Sequence, residues 1–221
     1  MSTIERGVFI TFEGPDGSGK STQFRLLSDR LTAARFFVCE SAEPGGTPIG
    51  QQIRRILLHS MNRELAPTAE LLLMFAARAQ NVEERILPAL REGKIVLSDR
   101  FTDSTLAYQG AGRGLGTDVV RQVDRIACQG LAPDLTICVD VDTETGLARA
   151  HTRNRERPES DESRIDQEAV EFHHKVRDAY FALAAAEPNR VRIVDGNHAP
   201  DVVAEAVWAE MSAFLASVSY K

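Results

Sequence analysis

The stretch FEGPDGSGKST, residues 12–22, limits the possible folds of this chain more than any other part of it. The apolar run GVFIT precedes it, and a segment with helical spacing of its apolar residues follows. Residues 14–21 have the spacing G-x-x-x-x-G-K-S, which is typical of a phosphate-binding loop between a strand and a helix. Glycines suit such a loop because backbone N–H groups must approach a phosphate closely, and side chains would block that approach. We therefore expect these residues to bind a nucleoside triphosphate: Gly14, Pro15, Asp16, Gly17, Ser18, Gly19, Lys20, Ser21 and Thr22.

Three side chains of the loop have expected roles of their own. Lys20 would place its charge between the β- and γ-phosphates, and the hydroxyl of Ser21 would bind Mg²⁺. Asp16 is unusual, because a carboxylate would repel the phosphates unless it faced a hydroxyl group of a second substrate. The loop alone does not choose among GTPases, motor ATPases and small-molecule kinases, although the N-K-x-D pattern that reads guanine is absent from the sequence.

Strand-like apolar runs alternate with segments of helical periodicity along the chain. The runs are continuous rather than alternating, which is typical of a parallel sheet covered on both faces. Strands are predicted at residues 7–12, 35–40, 94–99, 134–141 and 190–195, and helices at 21–34, 68–91, 118–129, 163–186 and 201–218. We expect one α/β domain over residues 1–221 with a five-stranded parallel sheet flanked by helices. The charged segment 148–164 is almost free of apolar residues and is predicted to be a mobile lid.

Composition narrows the class of protein further. The chain has 221 residues and a formal net charge of −6, and an acidic chain is poorly suited to bulk electrostatic binding of nucleic acid or of an anionic membrane. Of its three cysteines, Cys128 and Cys138 lie in apolar segments, so buried free thiols are expected, as in a reducing cytosol. No apolar run has the length of a signal peptide or of a membrane span. We expect a cytoplasmic protein whose partners are small molecules, with no nucleic acid and no membrane among them.

A second group of polar residues, LSDRFTDSTLAYQGAGRG at 97–114, follows the third predicted strand. Asp99 and Arg100 come at the carboxyl end of that strand, where parallel sheets bind their ligands, so both are expected beside the glycine loop. An aspartate there would hold Mg²⁺ through water, and an arginine would form two hydrogen bonds to a phosphate. An ordinary ion pair between the two is the alternative. The segment GAGRG, residues 110–114, is expected to be too flexible for the core.

Four segments together resemble the bacterial thymidylate kinases: GPDGSGKST, EPGGT at 43–47, LLLMFAARAQ at 71–80 and DRFTDSTLAYQGAGRG at 99–114. They appear in the order of that family, and the resemblance covers essentially the whole chain. It implies the P-loop nucleoside-monophosphate-kinase fold, transfer of the γ-phosphoryl group of ATP to dTMP with Mg²⁺, and a homodimer packed through helices. The alternatives are another nucleoside-monophosphate kinase of this fold, or a protein that binds ATP as a regulatory switch.

The resemblance assigns roles to residues of the acceptor site. Phe75 would stack on thymine, and Arg78, three residues further along one helix face, would donate a hydrogen bond to its O4. Tyr108 would crowd the 2′ position of the sugar, Asp16 would hold its 3′-hydroxyl region, and Arg100 would bind the dTMP phosphate. The residues expected to bind dTMP are Asp16, Glu43, Pro44, Phe75, Arg78, Arg100, Ser104, Thr105, Tyr108 and Gln109.

The arginines of the lid are expected to act in catalysis. The family has two kinds of members, one with its catalytic arginine in the glycine loop and one with it in the lid. No arginine lies in the loop here, so this chain resembles the second kind. Arg153 is expected at the transferring phosphoryl group and Arg149 on the ATP side, with Arg155 and Arg157 as alternatives to Arg153. Catalytic roles are thus implied for Lys20, Asp99, Arg100 and Arg153.

The chain departs from the family pattern in three ways. The family usually has an arginine before EPGGT, where this chain has Ala42, so a positive charge or an ion pair is lost on the acceptor side. The lid is longer than usual, and Ser163 stands where an acid is common, so Arg164 is a candidate for the hinge-side anchor of the lid. A cis peptide bond is expected before Pro44.

Overall fold

The structure, a computed structural model, describes residues 2–3, 6–156 and 161–219. The strands are β1 (Ser2–Thr3), β2 (Val8–Glu13), β3 (Val38–Ala42), β4 (Ile95–Asp99), β5 (Leu135–Asp140), β6 (Val191–Asp195) and β7 (Val218–Ser219). The α-helices are α1 (Lys20–Ala33), α2 (Pro48–Leu58), α3 (Pro67–Asn81), α4 (Leu87–Arg91), α5 (Thr102–Thr105), α6 (Thr117–Ala127), α7 (Thr143–Glu156), α8 (Val170–Ala186) and α9 (Pro200–Ser217). A short π-helical turn, Val82–Ile86, joins α3 to α4. The chain after α5 continues as the π-helical segment Leu106–Gly112.

Five strands form one parallel sheet in the order β3-β4-β2-β5-β6, and β1 pairs separately with β7. All six residues of β2 and of β5 are buried, which explains why both sequences are mostly apolar and lack the alternation of a half-buried strand. Strands β3 and β4 lie on one side of β2, and β5 and β6 lie on the other. The crevice beyond the carboxyl ends of β2, β4 and β5 is therefore the expected ligand site of the sheet.

Both faces of the central strand are covered by helices. Val8, Ile10 and Phe12 pack against α1 and α9 on one face, and Phe9 packs with residues of α3, α4 and α6 on the other. This arrangement follows from the alternation of successive side chains across a strand. Because both sides of β2 are anchored in hydrophobic cores, the loop that follows it starts from a fixed position.

The five predicted strands are present, and so are four of the five predicted helices, with ends shifted by a few residues. The predicted helix 163–186 is wrong at its start, because α8 begins only at Val170. The preceding turn is held instead by side-chain contacts, in which the buried Arg164 donates to the carbonyl oxygen of Leu57 and to Glu70. Helix α2 was not predicted, although Thr47 caps it by accepting a hydrogen bond from the N–H of Gly50.

The segment 102–112 is helical and largely buried, which also was not predicted. The expectation that GAGRG is too flexible for the core is wrong for its first residues. Gly110 is buried, and a Cβ at Gly112 would overlap the ring of Phe172. The glycines here allow α8 to pack closely on the π-helical segment rather than loosen the chain.

The predicted lid, residues 148–164, begins within helix α7, which continues to Glu156. Residues 157–160, and with them Arg157, lie outside the described residues. After these residues, Arg164, Ile165 and Asp166 are buried. Arg164 thus fits its expected role as an anchor at the end of this segment. None of the helices in the described part of the chain is long and apolar enough to cross a membrane.

Candidate active site

The glycine loop lies between β2 and α1, as its sequence predicts. Gly14, Gly17 and Gly19 have φ angles of 131°, 73° and 92°, values that residues with a Cβ rarely adopt. A Cβ at Gly17 would also overlap the backbone of Gly146. Lys20 is the first residue of α1, so its side chain and the free N–H groups of the helix start face the same loop.

The Lys20 side chain is buried and bends back over the loop, where its Nζ donates to the carbonyl oxygen of Pro15 at 3.0 Å. Burial, together with the nearby charge of Arg100, lowers the pKa of Lys20 from 10.5 to about 8. The next residue, Ser21, donates from its Oγ to the carboxylate of Asp99 at 2.8 Å. The carboxyl end of β4 and the start of α1 therefore meet at the same point, and Asp99 lies beside the glycine loop as its place at a strand end predicts.

Arg100 lies in the left-handed region with a φ of 72°, which costs a non-glycine residue about 1 kcal/mol or more. Its backbone is held by two contacts: its N–H donates to the carbonyl oxygen of Phe12, and its own carbonyl accepts from Ser98. Its guanidinium donates to Asp16 at 2.7 Å, and Tyr108 donates to the other oxygen of Asp16 at 2.8 Å. The strained backbone thus points the Arg100 side chain across the crevice toward the glycine loop.

Asp16 is consequently an ionised carboxylate inside the loop. Burial alone would raise its pKa, but the charges of Arg100 and Lys20 and the hydrogen bond from Tyr108 outweigh that effect and lower the pKa to about 2. The repulsion expected between Asp16 and a bound phosphate is therefore offset by two cations and a hydroxyl on its own side of the crevice.

Glu13, the last residue of β2, is a fully buried acid that the sequence analysis missed. It accepts hydrogen bonds from the N–H of Phe101 at 2.7 Å, from Ser104 at 2.5 Å and from Tyr180 at 3.2 Å. Burial and the nearby charge of Asp103 raise the pKa of Glu13 from 4.5 to about 7. Its position directly before the glycine loop was the available signal, since a polar residue at the carboxyl end of a buried strand usually serves the ligand site.

Arg78 and Glu43 form a buried ion pair on the far side of the crevice, with Nε and Oε2 at 2.5 Å. Arg78 also donates to Thr105 at 2.9 Å, and Asn81 donates to the second oxygen of Glu43 at 2.9 Å. The peptide bond between Glu43 and Pro44 is cis, as expected from the sequence. These bonds hold Arg78 rigidly, because each oxygen of its partner carboxylate has a donor.

A cavity of about 350 Å³ connects the glycine loop with the Arg78 ion pair. Its walls contain most of the side chains predicted for the acceptor site and for catalysis: Asp16, Lys20, Ser21, Glu43, Pro44, Arg78, Asp99, Arg100, Ser104, Thr105, Tyr108, Gln109 and Arg153. Phe75 is not in the wall; its ring is buried in the core at 4.8 Å from the guanidinium carbon of Arg78. The wall also holds residues that the sequence analysis missed: Arg54, Leu58, Met74, Asn154, Glu162, Ile165 and Asp166.

The arginines of α7 point to different places. Arg153 lines the cavity and donates to the buried Asp166 at 3.0 Å. Arg149 does not line it and donates instead to the carbonyl oxygen of Gly196 at 3.3 Å, on the outer side of the glycine loop. Arg155 is exposed and donates to Thr152 within its own helix. Among the described arginines of this helix, only Arg153 faces the cavity.

The chain matches known proteins over almost its full length. The family model "Thymidylate kinase" matches residues 12–207. A thymidylate kinase of Pelobacter propionicus is 49% identical over 205 residues, covering 93% of this chain and 94% of the relative, and one of Thermomicrobium roseum is 51% identical over 204 residues, covering 92% and 94%. The crystal structure of thymidylate kinase from Ehrlichia chaffeensis has a TM-score of 0.75 and 31% identity, covering 93% of this chain and 98% of that one. The chain belongs to the thymidylate kinase family.

Proposed function

We propose that this chain transfers the γ-phosphoryl group of ATP to dTMP, giving ADP and dTDP. One observation carries the proposal: Lys20 of the glycine loop, Arg100 and Arg78 line a single cavity. With a triphosphate on the loop and a nucleoside monophosphate in the cavity, the γ-phosphate of the first would lie next to the phosphate of the second. Family membership supports thymidylate as the acceptor, because the relatives carry that name.

Catalysis would rest on position and charge, since phosphoryl transfer requires little covalent chemistry from the protein. Lys20 would contact the β- and γ-phosphates of ATP, and the N–H groups of the loop residues other than Pro15 would surround the β-phosphate. Arg100 would bind the dTMP phosphate, because its guanidinium already crosses the crevice beside Asp16. Arg153 would neutralise the charge of the transferring group from the opposite wall.

Mg²⁺ would be held by Ser21 and through water by Asp99, whose side chains lie 2.8 Å apart. No group of three or more His, Cys, Asp or Glu residues within the described ranges has metal-binding geometry. One hydroxyl and one carboxylate fit Mg²⁺, which keeps several waters and takes its remaining ligands from substrate phosphates. The ion would neutralise charge on the phosphates during transfer.

The far end of the cavity would hold the nucleoside of dTMP. Arg78 would donate to O4 of thymine, Thr105 and Gln109 would face the base, and Tyr108 and Asp16 would lie along the sugar. The fixed ion pair of Arg78 with Glu43 supports this assignment, because a rigid donor discriminates better than a mobile one. Phe75 would contribute from behind Arg78, whose guanidinium carbon lies 4.8 Å from the centre of its ring.

The chain would act as one domain over residues 1–221, with residues 148–164 as the lid over the donor site. The two ends of this segment support the assignment, since Ala150 is buried in α7 and Arg164 is anchored to Leu57 and Glu70. Closure of such a segment would exclude water, which otherwise accepts the phosphoryl group. Arg149 would contact ATP from outside the loop.

We also propose that the chain forms a homodimer through α2, α3 and α6. Helix α3 packs against both α2 and α6, and each of the three helices carries exposed large apolar residues. These are Ile49 and Ile56 of α2, Leu72 of α3, and Val119 and Ile126 of α6. Apolar residues grouped on one region of a soluble protein usually mark a contact surface. Sedimentation equilibrium would measure the mass in solution.

A cytoplasmic location is proposed as well. Cys39, Cys128 and Cys138 are all free thiols, and the last two are buried. Free thiols that have not paired fit a reducing compartment. Localisation of a tagged full-length chain in cells would test it.

The test of the proposed reaction is ADP release with ATP and Mg²⁺ in the presence of dTMP, dUMP, dCMP, dGMP or dAMP. We expect strong selectivity for dTMP, with dUMP as the best of the others, because a single methyl group contributes on the order of 1–3 kcal/mol in a pocket. Equal slow release with all five would contradict the acceptor assignment while leaving the ATP site intact.

A further inference from the structure

Glu70 of α3 is a fully buried carboxylate behind the wall of the cavity. It accepts four hydrogen bonds: from Gln109 at 2.7 Å, from two nitrogens of Arg113 at 3.2 and 3.1 Å, and from Arg164 at 2.7 Å. The donors come from the π-helical segment, the loop after it and the turn before α8. Of these, Gln109 alone lines the cavity.

The bond between Glu70 and Gln109 fixes which end of the Gln109 amide faces the cavity. Burial alone would raise the pKa of Glu70, but the hydrogen bonds from Gln109 and Arg113 outweigh it, so the net pKa lies below its usual 4.5 and the group is ionised. An ionised carboxylate only accepts hydrogen bonds, so only the NH₂ end of Gln109 can face it. The Oε1 atom must then point away from Glu70.

Gln109 Oε1 is available to a ligand. It accepts no hydrogen bond from any described residue. It is also absent from the buried polar atoms that are cut off from solvent and have no partner. Arg78, whose guanidinium carries only N–H donors, lines the same cavity. The wall therefore holds one acceptor side chain and one donor side chain.

That pair of groups matches one class of base. Thymine and uracil present an N3–H donor next to the O4 acceptor, whereas cytosine presents an N3 acceptor next to an amino donor. The amino group of a cytosine in this pocket would face the N–H donors of Arg78, and its N3 would face the acceptor oxygen of Gln109. Neither pair could form a hydrogen bond, and unpaired buried polar groups are costly.

We propose that Glu70 is a positioning residue that fixes the orientation of the Gln109 amide and thereby excludes cytosine nucleotides. The proposal rests on the proposed phosphorylation of dTMP and adds a specificity determinant to that site. Glu70 itself would not touch the nucleotide. It would act by preventing the amide of Gln109 from turning over.

The test is the variant Glu70→Gln, since a glutamine can donate to Oε1 of Gln109 and let that amide turn. We expect the ratio of kcat/KM for dTMP to kcat/KM for dCMP to fall about tenfold or more. The matched control is Glu168→Gln, which removes the charge of the other carboxylate that Arg113 bonds but leaves the bond between Glu70 and Gln109. The control should keep the parent ratio.

A purely structural role for Glu70 predicts a different result. Loss of an anchor for Arg113 and Arg164 would lower the kcat/KM of both nucleotides together, and an unchanged ratio in Glu70→Gln would overturn the proposal. The double variant Glu70→Gln with Gln109→Glu restores an acceptor at position 109, so it should recover most of the lost ratio. A double variant no more selective than Glu70→Gln would also overturn it.

A measurement on the parent chain covers the case in which Glu70→Gln does not fold. The side-chain NH₂ protons of Gln109, followed by ¹⁵N NMR without nucleotide, should exchange slowly because they bond to Glu70 inside the protein. Exchange as fast as that of an exposed glutamine would overturn the proposal. A parent chain that phosphorylates none of the nucleotides would refute the proposed function instead, and the NMR result would stand apart from it.

Discussion

The donor side and the acceptor side of the cavity are built in different ways. The donor side is one run of consecutive residues from Gly14 to Thr22, and its proposed chemistry lies mostly in backbone N–H groups and in Lys20. The acceptor side is assembled from side chains of α2, α3, β4, α5, the π-helical segment and the turn before α8. A backbone site needs a particular local conformation, whereas a side-chain site needs the whole fold to bring its parts together.

The acceptor side also contains more buried charge. The pairs Arg78–Glu43 and Arg164–Glu70 have side chains that are at most 3% exposed, and burying such pairs adds little net stability. Their benefit lies in orientation, because each paired side chain is held by several hydrogen bonds. The donor loop reaches the same rigidity through glycine conformations and the start of α1.

Lys20→Ala is the strongest way to test the donor side. It removes the only side-chain cation of the loop, and we expect kcat/KM to fall on the order of 10⁴-fold or more. Ser18→Ala is the matched control in the same loop, because the phosphate contact proposed for Ser18 is made by its backbone N–H, which the substitution leaves in place. Steady-state kinetics should show the control within about threefold of the parent. An equal loss in both variants would mean that the loop depends on its side chains throughout.

Arg153→Ala tests whether the cavity-facing arginine of α7 serves the transition state. We expect kcat to fall about 10³-fold with the affinity for dTMP largely kept, because a charge that acts on the transferring group matters little in the ground state. Arg155→Ala is the matched control, since Arg155 is exposed and bonds within its own helix. A loss in Arg155→Ala instead would show that Arg155 is the residue that meets the phosphoryl group.

The difference between the two sides explains what sequence could predict. The donor loop and its strand and helix were predicted because their residues are consecutive and their spacing has one physical meaning. Asp99 and Arg100 were predicted because a strand end is visible in the sequence. Tyr180 was missed, since nothing local indicates that a residue of α8 lies 2.9 Å from Ser104.

The same reason accounts for Glu13, Arg54 and Glu70. Each is an ordinary charged residue of a strand end or a helix in the sequence, and its role arises only from contacts with residues far along the chain. The start of α8 was predicted wrongly for a related reason. Helical propensity near Ser163 is overridden by the bond between Arg164 and Glu70, residues that are 94 positions apart.

Glu13→Gln tests the cost of placing an acid where the two sides meet. The pKa of Glu13 is about 7 in the folded chain, against an ordinary value of 4.5. Glu13 therefore adds to the free energy of unfolding below pH 4.5, and this contribution is lost as the pH rises toward 7. The loss is on the order of 3 kcal/mol. We expect the free energy of unfolding of the variant to change less than that of the parent between pH 5 and pH 8, as measured in urea.

Glu205→Gln is the control for that experiment, because Glu205 is a largely exposed acid in a surface pair with Arg30. Its pH dependence should match that of the parent. If Glu13→Gln also follows the parent curve, Glu13 is ionised across this range, and the acid at the end of β2 contributes a permanent negative charge to the site.

Ala42→Arg should have the smallest effect and tests whether the acceptor side lacks a charge. The arginine common in the family at this place is absent, but Arg54 lines the same cavity and donates to the carbonyl oxygen of Pro44 at 2.9 Å. Glu43, the nearest acid to a new arginine, is already bonded by Arg78 and Asn81. An added exposed charge without a free partner contributes about 0–1 kcal/mol, so KM for dTMP should change less than about fivefold. A larger fall in KM would mean that Arg54 does not supply the missing charge. An arginine at one position of the acceptor side could then not replace an arginine at another, although both line the same cavity.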